Sequence, residues 1–320
     1  MKNKVILCHP FSERETAHLK GETDLIAAEE QGGLASAAKT HPDTLGLISF
    51  LSDRIDERLM DSLPRLKVIA NYAVGYNNID FRCAAERGIT VCNTPDVLTE
   101  ATADLTLALL LAASRRIIEA DRFMRRELFK GWGAALMLGK ELSGSVLGVV
   151  GLGRIGAAVA RRALAFGMKV VYVSPSPKTE LEKSLGVQRV DLDELLERSD
   201  VVSLHLPYSP AVHHLFDREA FRRMKPGAVF INVSRGQLMD EAALLEAVNS
   251  GHLFAAGLDV YEREPRMTPG LTSCERIVLA PHIGSATETT RERMAEMVVG
   301  DVLRVLSGQQ PKYPIPEQLL

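Results

Sequence analysis

The segment that decides the fold is Val146-Leu147-Gly148-Val149-Val150-Gly151-Leu152-Gly153-Arg154-Ile155-Gly156. An apolar run typical of a β-strand leads directly into the pattern Gly-x-Gly-x-x-Gly, and a helix-like segment follows. In this pattern Gly151 permits a tight turn, Gly153 lets the backbone approach a pyrophosphate, and Gly156 lets the helix pack closely against the strand. The start of the helix presents free N–H groups and the positive end of its dipole to phosphates. The strand–turn–helix context therefore favours a dinucleotide-binding turn over a plain tight turn.

The segment after the next strand indicates which dinucleotide binds. The predicted strand Lys169–Val173 ends in Ser174-Pro175-Ser176-Pro177-Lys178, which contains no acidic residue. An NAD site usually places an acidic side chain about 20 residues after the turn, where it binds the ribose 2′-hydroxyl. Here Ser174 and Ser176 could donate hydrogen bonds to a 2′-phosphate, and Lys178 could add a positive charge. The pattern favours NADP(H) over NAD(H), although no arginine stands at the usual point. A solvated loop with weaker NAD contacts is the alternative.

Short apolar runs alternate with longer helix-like segments along most of the 320 residues, which is typical of parallel α/β sheets. A chain of this length suggests about two domains. The predicted strands are Val5–Cys8, Leu47–Leu51, Val68–Ala73, Ile89–Cys92, Val146–Val150, Lys169–Val173, Asp200–Leu206, Ala228–Val233, Ala255–Asp259 and Ile277–Ala280. The predicted helices are Thr99–Ala120, Ile155–Phe166, Asp191–Arg198, Arg218–Met224, Glu241–Asn249 and Glu288–Leu306. Periodicity lapses in Gly131–Gly144, which is the predicted linker before the second series of strands.

Composition excludes several classes of protein. Hydrophobic residues make up 46% of the chain, which excludes disorder as its main state. A formal net charge of −3 gives no basic footprint for nucleic acid or an anionic membrane. The longest nearly unbroken apolar run, Leu105–Ala113, contains Thr106 and is far shorter than the about 20 residues that a membrane-spanning helix needs. The first apolar stretch is too short for a signal peptide. The four cysteines have no metal-ligand spacing, so we expect no metal and a reducing, cytoplasmic setting.

Polar residues follow three more apolar strands, at positions where α/β folds build their sites. The three segments are Phe230-Ile231-Asn232-Val233-Ser234-Arg235-Gly236, Gly257-Leu258-Asp259-Val260-Tyr261-Glu262-Arg263-Glu264-Pro265 and Leu279-Ala280-Pro281-His282-Ile283-Gly284-Ser285-Ala286-Thr287. Taken singly, Arg235 could be a surface salt-bridge partner, Glu264 a solvated loop acid and His282 a loop histidine. Their common place at strand ends, in a chain with a dinucleotide-binding turn, favours a catalytic set.

With these motifs the chain resembles the D-isomer-specific 2-hydroxyacid dehydrogenases, and within that family the glyoxylate/hydroxypyruvate reductase branch. The resemblance runs across most of the chain. It rests on the glycine turn, on the three strand-end segments, and on Asn71-Tyr72-Ala73-Val74-Gly75-Tyr76-Asn77-Asn78-Ile79-Asp80 and Asn93-Thr94-Pro95-Asp96-Val97-Leu98-Thr99.

The resemblance implies an α/β fold of two doubly wound parallel-sheet domains. A Rossmann-type dinucleotide-binding domain, residues 99–283, would be inserted into a discontinuous flavodoxin-like substrate domain, residues 1–98 plus 284–320. The helix Thr99–Ala120 would form much of a homodimer interface. The active site would lie in the cleft between the domains, which would close over the substrate by a hinge motion. In relatives a tryptophan in the stretch around Trp132 reaches toward the partner subunit's site.

The resemblance also implies reversible hydride transfer between a nicotinamide cofactor and C2 of a 2-oxo acid, glyoxylate or hydroxypyruvate. His282 corresponds to the general acid, Glu264 to the carboxylate that orients its imidazole, and Arg235 to the cation that pairs with the substrate carboxylate. The implied substrate contacts are Leu51, Val74, Gly75, Arg235 and His282. The implied cofactor contacts are Gly151, Leu152, Gly153, Arg154, Ile155, Gly156, Ser174, Pro175, Ser176, Lys178, Pro207, Val233, Ser234, Arg235, Asp259, His282 and Gly284. We expect no catalytic role for His213 and His214.

Other functions use the same fold, so alternatives stay open. A 2-ketogluconate or 2-ketoaldonate reductase of the same family would share NADP(H) and the three catalytic residues. An NAD(H)-sensing corepressor-like protein would bind partner peptides, but this chain lacks the polar tails of a scaffold. A 3-phosphoglycerate, phosphite or formate dehydrogenase would use NAD, which the missing strand-end acid disfavours.

Overall fold

The computed structural model describes residues 2–11 and 13–318, and it divides the chain into two compact units. Unit 1 comprises residues 1–98 and 286–320, and unit 2 comprises residues 99–285. The ends of the predicted substrate domain, Met1, Leu319 and Leu320, and its Ser12 lie outside the described residues. Each unit contains one parallel β-sheet, which confirms the predicted two-domain α/β fold with a Rossmann-type domain inserted into a discontinuous one.

The two sheets contain twelve strands in all among the described residues. The strands are β1 (Asn3–Leu7), β2 (Thr23–Ala27), β3 (Gly46–Ser49), β4 (Val68–Asn71), β5 (Thr90–Cys92), β6 (Val146–Val150), β7 (Lys169–Val173), β8 (Gln188–Arg189), β9 (Val201–Leu204), β10 (Val229–Asn232), β11 (Ala255–Leu258) and β12 (Ile277–Leu279). The helices are α1 (Glu13–Glu22), α2 (Leu34–Thr40), α3 (Glu57–Asp61), α4 (Phe81–Glu86), α5 (Thr99–Ser114), α6 (Ile117–Arg125), α7 (Arg154–Ala165), α8 (Thr179–Leu185), α9 (Leu192–Arg198), α10 (Arg218–Arg223), α11 (Glu241–Asn249) and α12 (Glu288–Leu306).

The sheet of unit 1 has five parallel strands in the order β2-β1-β3-β4-β5. Consecutive residues of β1, Val5 and Ile6, are fully buried in separate apolar clusters on the two faces of the sheet. The helix α12, from the far end of the chain, packs against β3 and β4 on one face. Since parallel strands are covered on both faces, they appear in sequence as nearly continuous apolar runs, which is why most were predicted.

The sheet of unit 2 has seven parallel strands in the order β12-β11-β10-β9-β6-β7-β8. The chain starts in the middle at β6, proceeds to one edge through β7 and β8, and returns to the other side of β6 with β9. Helix α5 packs against α7, β10 and β11. In a sheet of this topology ligands bind outside the carboxyl ends of the strands, where the strand order reverses. In unit 2 that point lies between β6 and β9.

The predicted helix Thr99–Ala120 is wrong in one respect, because the structure breaks it into α5 and α6. Arg116 separates the two helices with φ of 55°, a left-handed conformation that a right-handed helix cannot continue. The predicted linker Gly131–Gly144 contains no helix or strand and lies inside unit 2, directly before β6. Sequence analysis missed β2 and β8.

The residues at the ends of α7 and α11 are of types that commonly begin or end helices. Gly167 and Gly251 follow α7 and α11 in the left-handed conformation, with φ of 75° and 77°. The side chain of Asp240 accepts hydrogen bonds from two first-turn N–H groups of α11. Across residues 2–11 and 13–318, none of the helices combines the length and the apolar character that a membrane crossing needs.

Candidate active site

The glycine turn joins β6 to α7 at the carboxyl edge of the unit 2 sheet. Gly151 has φ of 99°, and a Cβ there would lie 2.8 Å from the backbone of His205. A Cβ on Gly156 would lie 2.2 Å from the carbonyl oxygen of Gly151, so both positions require glycine. Open space surrounds Gly153, the residue before α7. The turn therefore forms a cradle at a helix N-terminus, where backbone N–H groups can meet a pyrophosphate.

Ser174, the first residue after β7, faces this turn. Its Oγ accepts a hydrogen bond of 3.0 Å from the N–H of Leu152, and its side chain is buried. The Ser174 hydroxyl can still donate its own hydrogen. Pro175 and Ser176 are exposed, and Lys178 is half-buried. The end of β7 therefore presents hydroxyl and ammonium groups and no carboxylate from this segment.

Sequence analysis missed an arginine that the structure brings to the same place. Arg189 lies in β8, which pairs with β7. Its guanidinium donates hydrogen bonds to the carbonyl oxygens of Ser174, 3.1 Å from Nη2, and of Pro175, 3.2 Å from Nη2. A strand of two residues leaves no hydrophobic period in the sequence, so no local signal could have placed this arginine.

His282 and Glu264 form a hydrogen-bonded pair after β12 and β11. Nδ1 of His282 lies 2.8 Å from Oε2 of Glu264, whose other oxygen accepts the N–H of Tyr261 at 2.9 Å. Burial alone would raise the pKa of Glu264, but the hydrogen bond and charge of His282 and the Tyr261 N–H hold that pKa below its ordinary value. Glu264 is therefore ionised at neutral pH. It accepts the proton on Nδ1 of His282 and leaves Nε2 for a substrate.

The loop that carries His282 is held in place by Asp259. His282 has φ of 55°, which is uncommon for a residue other than glycine. The two carboxyl oxygens of Asp259 accept the N–H groups of Ile283 at 2.7 Å and of Gly284 at 2.8 Å. Asp259 is only 1% exposed, and burial raises its pKa although these N–H groups oppose the shift. Asp259 thus positions His282, and its predicted contact with the cofactor stays a prediction.

Two buried side chains fix the loop after β11. The hydroxyl of Tyr261 donates to the carbonyl oxygen of Ala280 at 2.9 Å and so joins the ends of β11 and β12. Burial raises the pKa of Tyr261 to about 12, so this donor stays protonated. The two carboxyl oxygens of Glu241, the first residue of α11, accept the N–H groups of Glu262 at 2.6 Å and of Thr268 at 2.9 Å. Sequence analysis missed both groups, because neither lies near its partners in the chain.

Arg235 follows β10 in a turn that is fixed by Asn232. The Asn232 side chain donates to the Arg235 carbonyl oxygen and accepts the N–H of Ser234, both at 3.0 Å. Burial lowers the pKa of the Arg235 guanidinium although Glu264 opposes the shift, and an arginine stays ionised in proteins. A Cβ on Gly236 would lie 1.9 Å from the backbone of the loop after β11. The turn of Arg235 therefore packs directly against the loop that carries Glu264.

The other predicted cofactor contacts lie at the same edge of the sheet. Pro207 follows β9, and Val233 and Ser234 follow β10. The neighbouring His205 lies 2.8 Å from the hydroxyl of Ser203, and burial lowers its pKa to about 3, so its imidazole is neutral. Unit 2 thus brings every predicted cofactor contact, together with Arg235, Glu264 and His282, to the carboxyl edge of one sheet.

The three remaining predicted substrate contacts lie in unit 1. Leu51 follows β3, and Val74 and Gly75 follow β4, at neighbouring carboxyl ends of that sheet. The side chain of Asn93 donates to the carbonyl oxygen of Val74, and the side chain of Asn71 donates to that of Gly75, both at 2.8 Å. In a trans peptide the N–H points opposite to the C=O, so the Gly75 N–H is directed away from Asn93.

His213 and His214 lie apart from these residues in the chain and form a stacked pair. Their ring centroids are 4.0 Å apart with 19° between the planes, and Nε2 of His214 lies 3.4 Å from Oε1 of Glu262. In the described part of the chain this is the one group close enough to hold a metal ion. The ring nitrogens bind metals in the ring plane, and two nearly parallel stacked rings cannot share one ion. We therefore assign no metal to it.

Comparison with known proteins adds independent findings. The family model described as D-isomer specific 2-hydroxyacid dehydrogenase, NAD binding domain, matches residues 107–284. A glyoxylate reductase from Korarchaeum cryptofilum is 43% identical over 100% of this chain and 98% of its own length. A glyoxylate reductase from Thermococcus litoralis is 46% identical over 86% of this chain and 84% of its own length.

A solved structure is similar over both units. It is the NADPH-dependent glyoxylate/hydroxypyruvate reductase from Sinorhizobium meliloti in complex with NADP and malonate. It is 31% identical, with a TM-score of 0.89 over 99% of this chain and 98% of the solved chain.

Proposed function

We propose that this chain, which belongs to the D-isomer-specific 2-hydroxyacid dehydrogenase family, reduces glyoxylate or hydroxypyruvate to the 2-hydroxy acid and favours NADPH as the hydride donor. The observation that carries the proposal is the convergence of the His282–Glu264 pair and Arg235 at the sheet edge that also bears the glycine turn. An imidazole oriented by a carboxylate can give a proton at neutral pH, and a guanidinium can bind a carboxylate. These are the two groups that reduction of a 2-oxo acid requires.

The residues present fit a nicotinamide dinucleotide, because a Cβ at Gly151 or Gly156 would collide with the protein backbone and spoil the tight turn, and the space beside Gly153, just before α7, is open. Gly153, Arg154 and Ile155 would hold the diphosphate through backbone N–H groups, while the N–H of Leu152 donates to Ser174 and fixes the turn. When bound, the cofactor supplies the hydride that adds to C2 of the 2-oxo acid.

The chain's own residues handle the charges of the reaction. Arg235 pairs with the substrate carboxylate and polarises the neighbouring carbonyl group. His282 donates the proton from Nε2 to the carbonyl oxygen, so that a hydroxyl group forms as C2 is reduced. Glu264 stabilises the imidazolium before the transfer, and Asp259 holds the backbone that carries the imidazole. Contributions of Leu51, Val74 and Gly75 remain a prediction.

The preference for NADPH is supported by the residues after β7. No acidic residue stands in the segment 174–178, so no carboxylate from this segment repels a 2′-phosphate. The relative from Sinorhizobium meliloti is described as NADPH-dependent and was solved with NADP. An NADPH-using enzyme of this class favours reduction of the 2-oxo acid. A cytoplasmic location remains a prediction from the cysteine content.

We also expect a homodimer, formed by a second copy of this chain. Helix α6 and the segment after it expose an unusual number of large apolar side chains in unit 2. They are Ile117, Ile118, Met124, Leu128, Phe129, Trp132, Leu136 and Leu138. Trp132 is 86% exposed, which fits the predicted reach toward a partner subunit. Light scattering should give twice the monomer mass of 35.0 kDa, and a monomer would contradict this part of the proposal.

A matrix of initial rates tests the function. NADPH and NADH are each combined with glyoxylate, hydroxypyruvate, 2-ketogluconate and 3-phosphohydroxypyruvate. We expect the highest kcat/KM with NADPH and glyoxylate or hydroxypyruvate. A preference for 2-ketogluconate would favour the 2-ketoaldonate reductase alternative. Peptide binding without turnover would favour the corepressor-like alternative.

A further inference from the structure

We infer that Arg189 is the residue that recognises the 2′-phosphate of NADP(H). This inference rests on the proposed function and deepens its cofactor preference. The segment after the second strand of the Rossmann-type sheet, β7, lacks an arginine. In this inference the third strand, β8, supplies it.

Arg189 lies beside the end of β7. β8 runs parallel to β7 in a register that places Arg189 beside Tyr172, two residues before Ser174. The guanidinium reaches forward to the first two residues beyond β7, with Nε 3.3 Å and Nη2 3.1 Å from the Ser174 carbonyl oxygen. In a dinucleotide-binding sheet, the end of the second strand lies next to the 2′-position of the adenosine ribose, and an arginine there accommodates the phosphate. The second strand of this sheet is β7.

The positive charge of Arg189 is available to a ligand. Arg189 is exposed, and within residues 2–11 and 13–318 no carboxylate lies within 4.0 Å of its nitrogens. Glu182 on the neighbouring helix α8 accepts the hydroxyl hydrogen of Tyr172 at 2.7 Å instead. The charge of Arg189 is therefore not paired with an acid of its own chain.

The hydrogen-bond donors of the Arg189 guanidinium are only partly used. Nε donates to the carbonyl oxygen of Ser174, and Nη2 donates to the carbonyl oxygens of Ser174 and Pro175. Among the described residues Nη1 has no acceptor. These contacts with carbonyl oxygens fix the direction of a long side chain before a ligand binds. Less side-chain conformational entropy is therefore lost on binding. A fixed guanidinium with a free nitrogen suits a phosphate, because charge-assisted hydrogen bonds to phosphate are strong and directional.

The purely structural alternative is that Arg189 only ties the loop after β7 to β8. In that case its loss would disturb the adenosine end of NADH and NADPH alike. A role in recognition predicts a loss confined to the phosphorylated cofactor, so the comparison of the two cofactors separates the two roles.

The test uses Arg189→Gln, with Arg198→Gln as the matched control. Arg198, on α9, pairs with Glu194 and with the side chain of Gln188, the other residue of β8, so its loss removes the same charge near the same strand. Two readouts are measured on the full chain: KM and kcat for NADPH and NADH with one 2-oxo acid, and calorimetric binding of adenosine 2′,5′-bisphosphate and of AMP. Arg189→Lys keeps the positive charge but replaces the planar guanidinium, which can donate two parallel hydrogen bonds to a phosphate, by an ammonium group.

We expect Arg189→Gln to raise the KM for NADPH and the Kd for adenosine 2′,5′-bisphosphate by about 10- to 100-fold, the range for a lost hydrogen bond to a charged group. The KM for NADH and the Kd for AMP should stay within about 2-fold, with kcat unchanged. Arg189→Lys should lie between Arg189→Gln and the wild type, and Arg198→Gln should match the wild type.

Two results would overturn the inference: equal losses for both cofactors and both nucleotides, or no loss for any of them. The binding arm also separates this inference from the proposed function. If the wild type turned over NADH better than NADPH, the proposed cofactor preference would fail. In that case the effect of Arg189→Gln on the bisphosphate would still decide whether Arg189 reads a 2′-phosphate.

Discussion

Nδ1 of His282 lies 2.8 Å from Oε2 of Glu264, although 18 residues separate the two along the chain. β11 and β12 are neighbours in the sheet, so the loops that follow them leave the same edge side by side. Tyr261 joins these loops through its bond to the Ala280 carbonyl oxygen, and Asp259 fixes the backbone beyond His282. The pair is therefore held by the sheet and by buried hydrogen bonds, which is what a proton donor needs if it is to meet a substrate in one orientation.

Replacing Glu264 by Gln should lower the rate of reduction. The carboxylate of Glu264 faces Nδ1 of His282 with one oxygen and accepts the N–H of Tyr261 with the other, whereas an amide must present its NH2 group to one of them. We therefore expect the imidazole to lose its fixed orientation and kcat at neutral pH to fall, with the KM for the cofactor little changed. A kcat of Glu264→Gln equal to that of the wild type would show that Glu264 does not act on His282.

The same variant should change the pH dependence of stability. The folded protein holds the pKa of Glu264 below its ordinary value of 4.5, so the carboxylate stabilises the fold above that pH. This contribution is lost as the pH falls through the lower, folded-state pKa. The free energy of unfolding of the wild type should therefore exceed that of Glu264→Gln at neutral pH, and the difference should shrink below about pH 4.5. Urea titrations at several pH values measure it, and a difference that grows on acidification would contradict the account.

Gly236→Ala should damage both stability and activity. Its Cβ would lie 1.9 Å from the backbone of the loop after β11, and that backbone cannot yield without moving Glu264. We expect a loss of about 1–3 kcal/mol or more in the free energy of unfolding, and a lower kcat. Gly300→Ala is the control, because Gly300 lies inside α12 with nothing within 4 Å of its Cβ, and alanine should be neutral or slightly stabilising there. Equal stability of the two variants would show that the close approach at Gly236 is relieved at little cost.

Glu241→Gln should loosen the loop that carries Glu264. A carboxylate accepts the N–H groups of Glu262 and Thr268 together, whereas an amide must turn its NH2 group toward one of them. We expect a loss of about 1–3 kcal/mol in stability and a reduced kcat, with KM for the cofactor little changed. The control is Glu246→Gln in the same helix, because Glu246 makes an exposed ion pair with Arg218 and should contribute no more than about 1 kcal/mol. Indistinguishable denaturation curves for the two variants would exclude this role for Glu241.

The sequence predicts the fold well where physical rules act locally. Buried parallel strands appear as apolar runs. The glycine turn marks the connection between the first strand of the unit 2 sheet and the helix that follows it. The polar segments after the strands of this sheet meet at one edge because all carboxyl ends point the same way. The start of α11 follows from capping by Asp240, whose Oδ1 accepts the N–H groups two and three residues later.

The supporting contacts could not be predicted, because each joins residues that are distant in the chain. Glu241 looks like an ordinary acid in the first turn of a helix, yet both its oxygens bind the loop after β11. Arg189 lies in a strand too short to leave a hydrophobic period. The break between α5 and α6 lies at Arg116, which adopts a left-handed conformation although it is not a glycine, so the sequence gives no signal for the break. These features depend on tertiary packing and become visible only in three dimensions.

The most direct test of the central claim is the turnover of His282→Ala with NADPH and glyoxylate, measured beside the Kd for NADPH. A positioned proton donor contributes about 10²- to 10⁴-fold, so kcat should fall by at least about 100-fold while the Kd for NADPH changes little. His213→Ala, which removes an exposed histidine outside the proposed machinery, should behave like the wild type. A kcat for His282→Ala that remained close to the wild-type value would contradict the assignment of His282 as the proton donor.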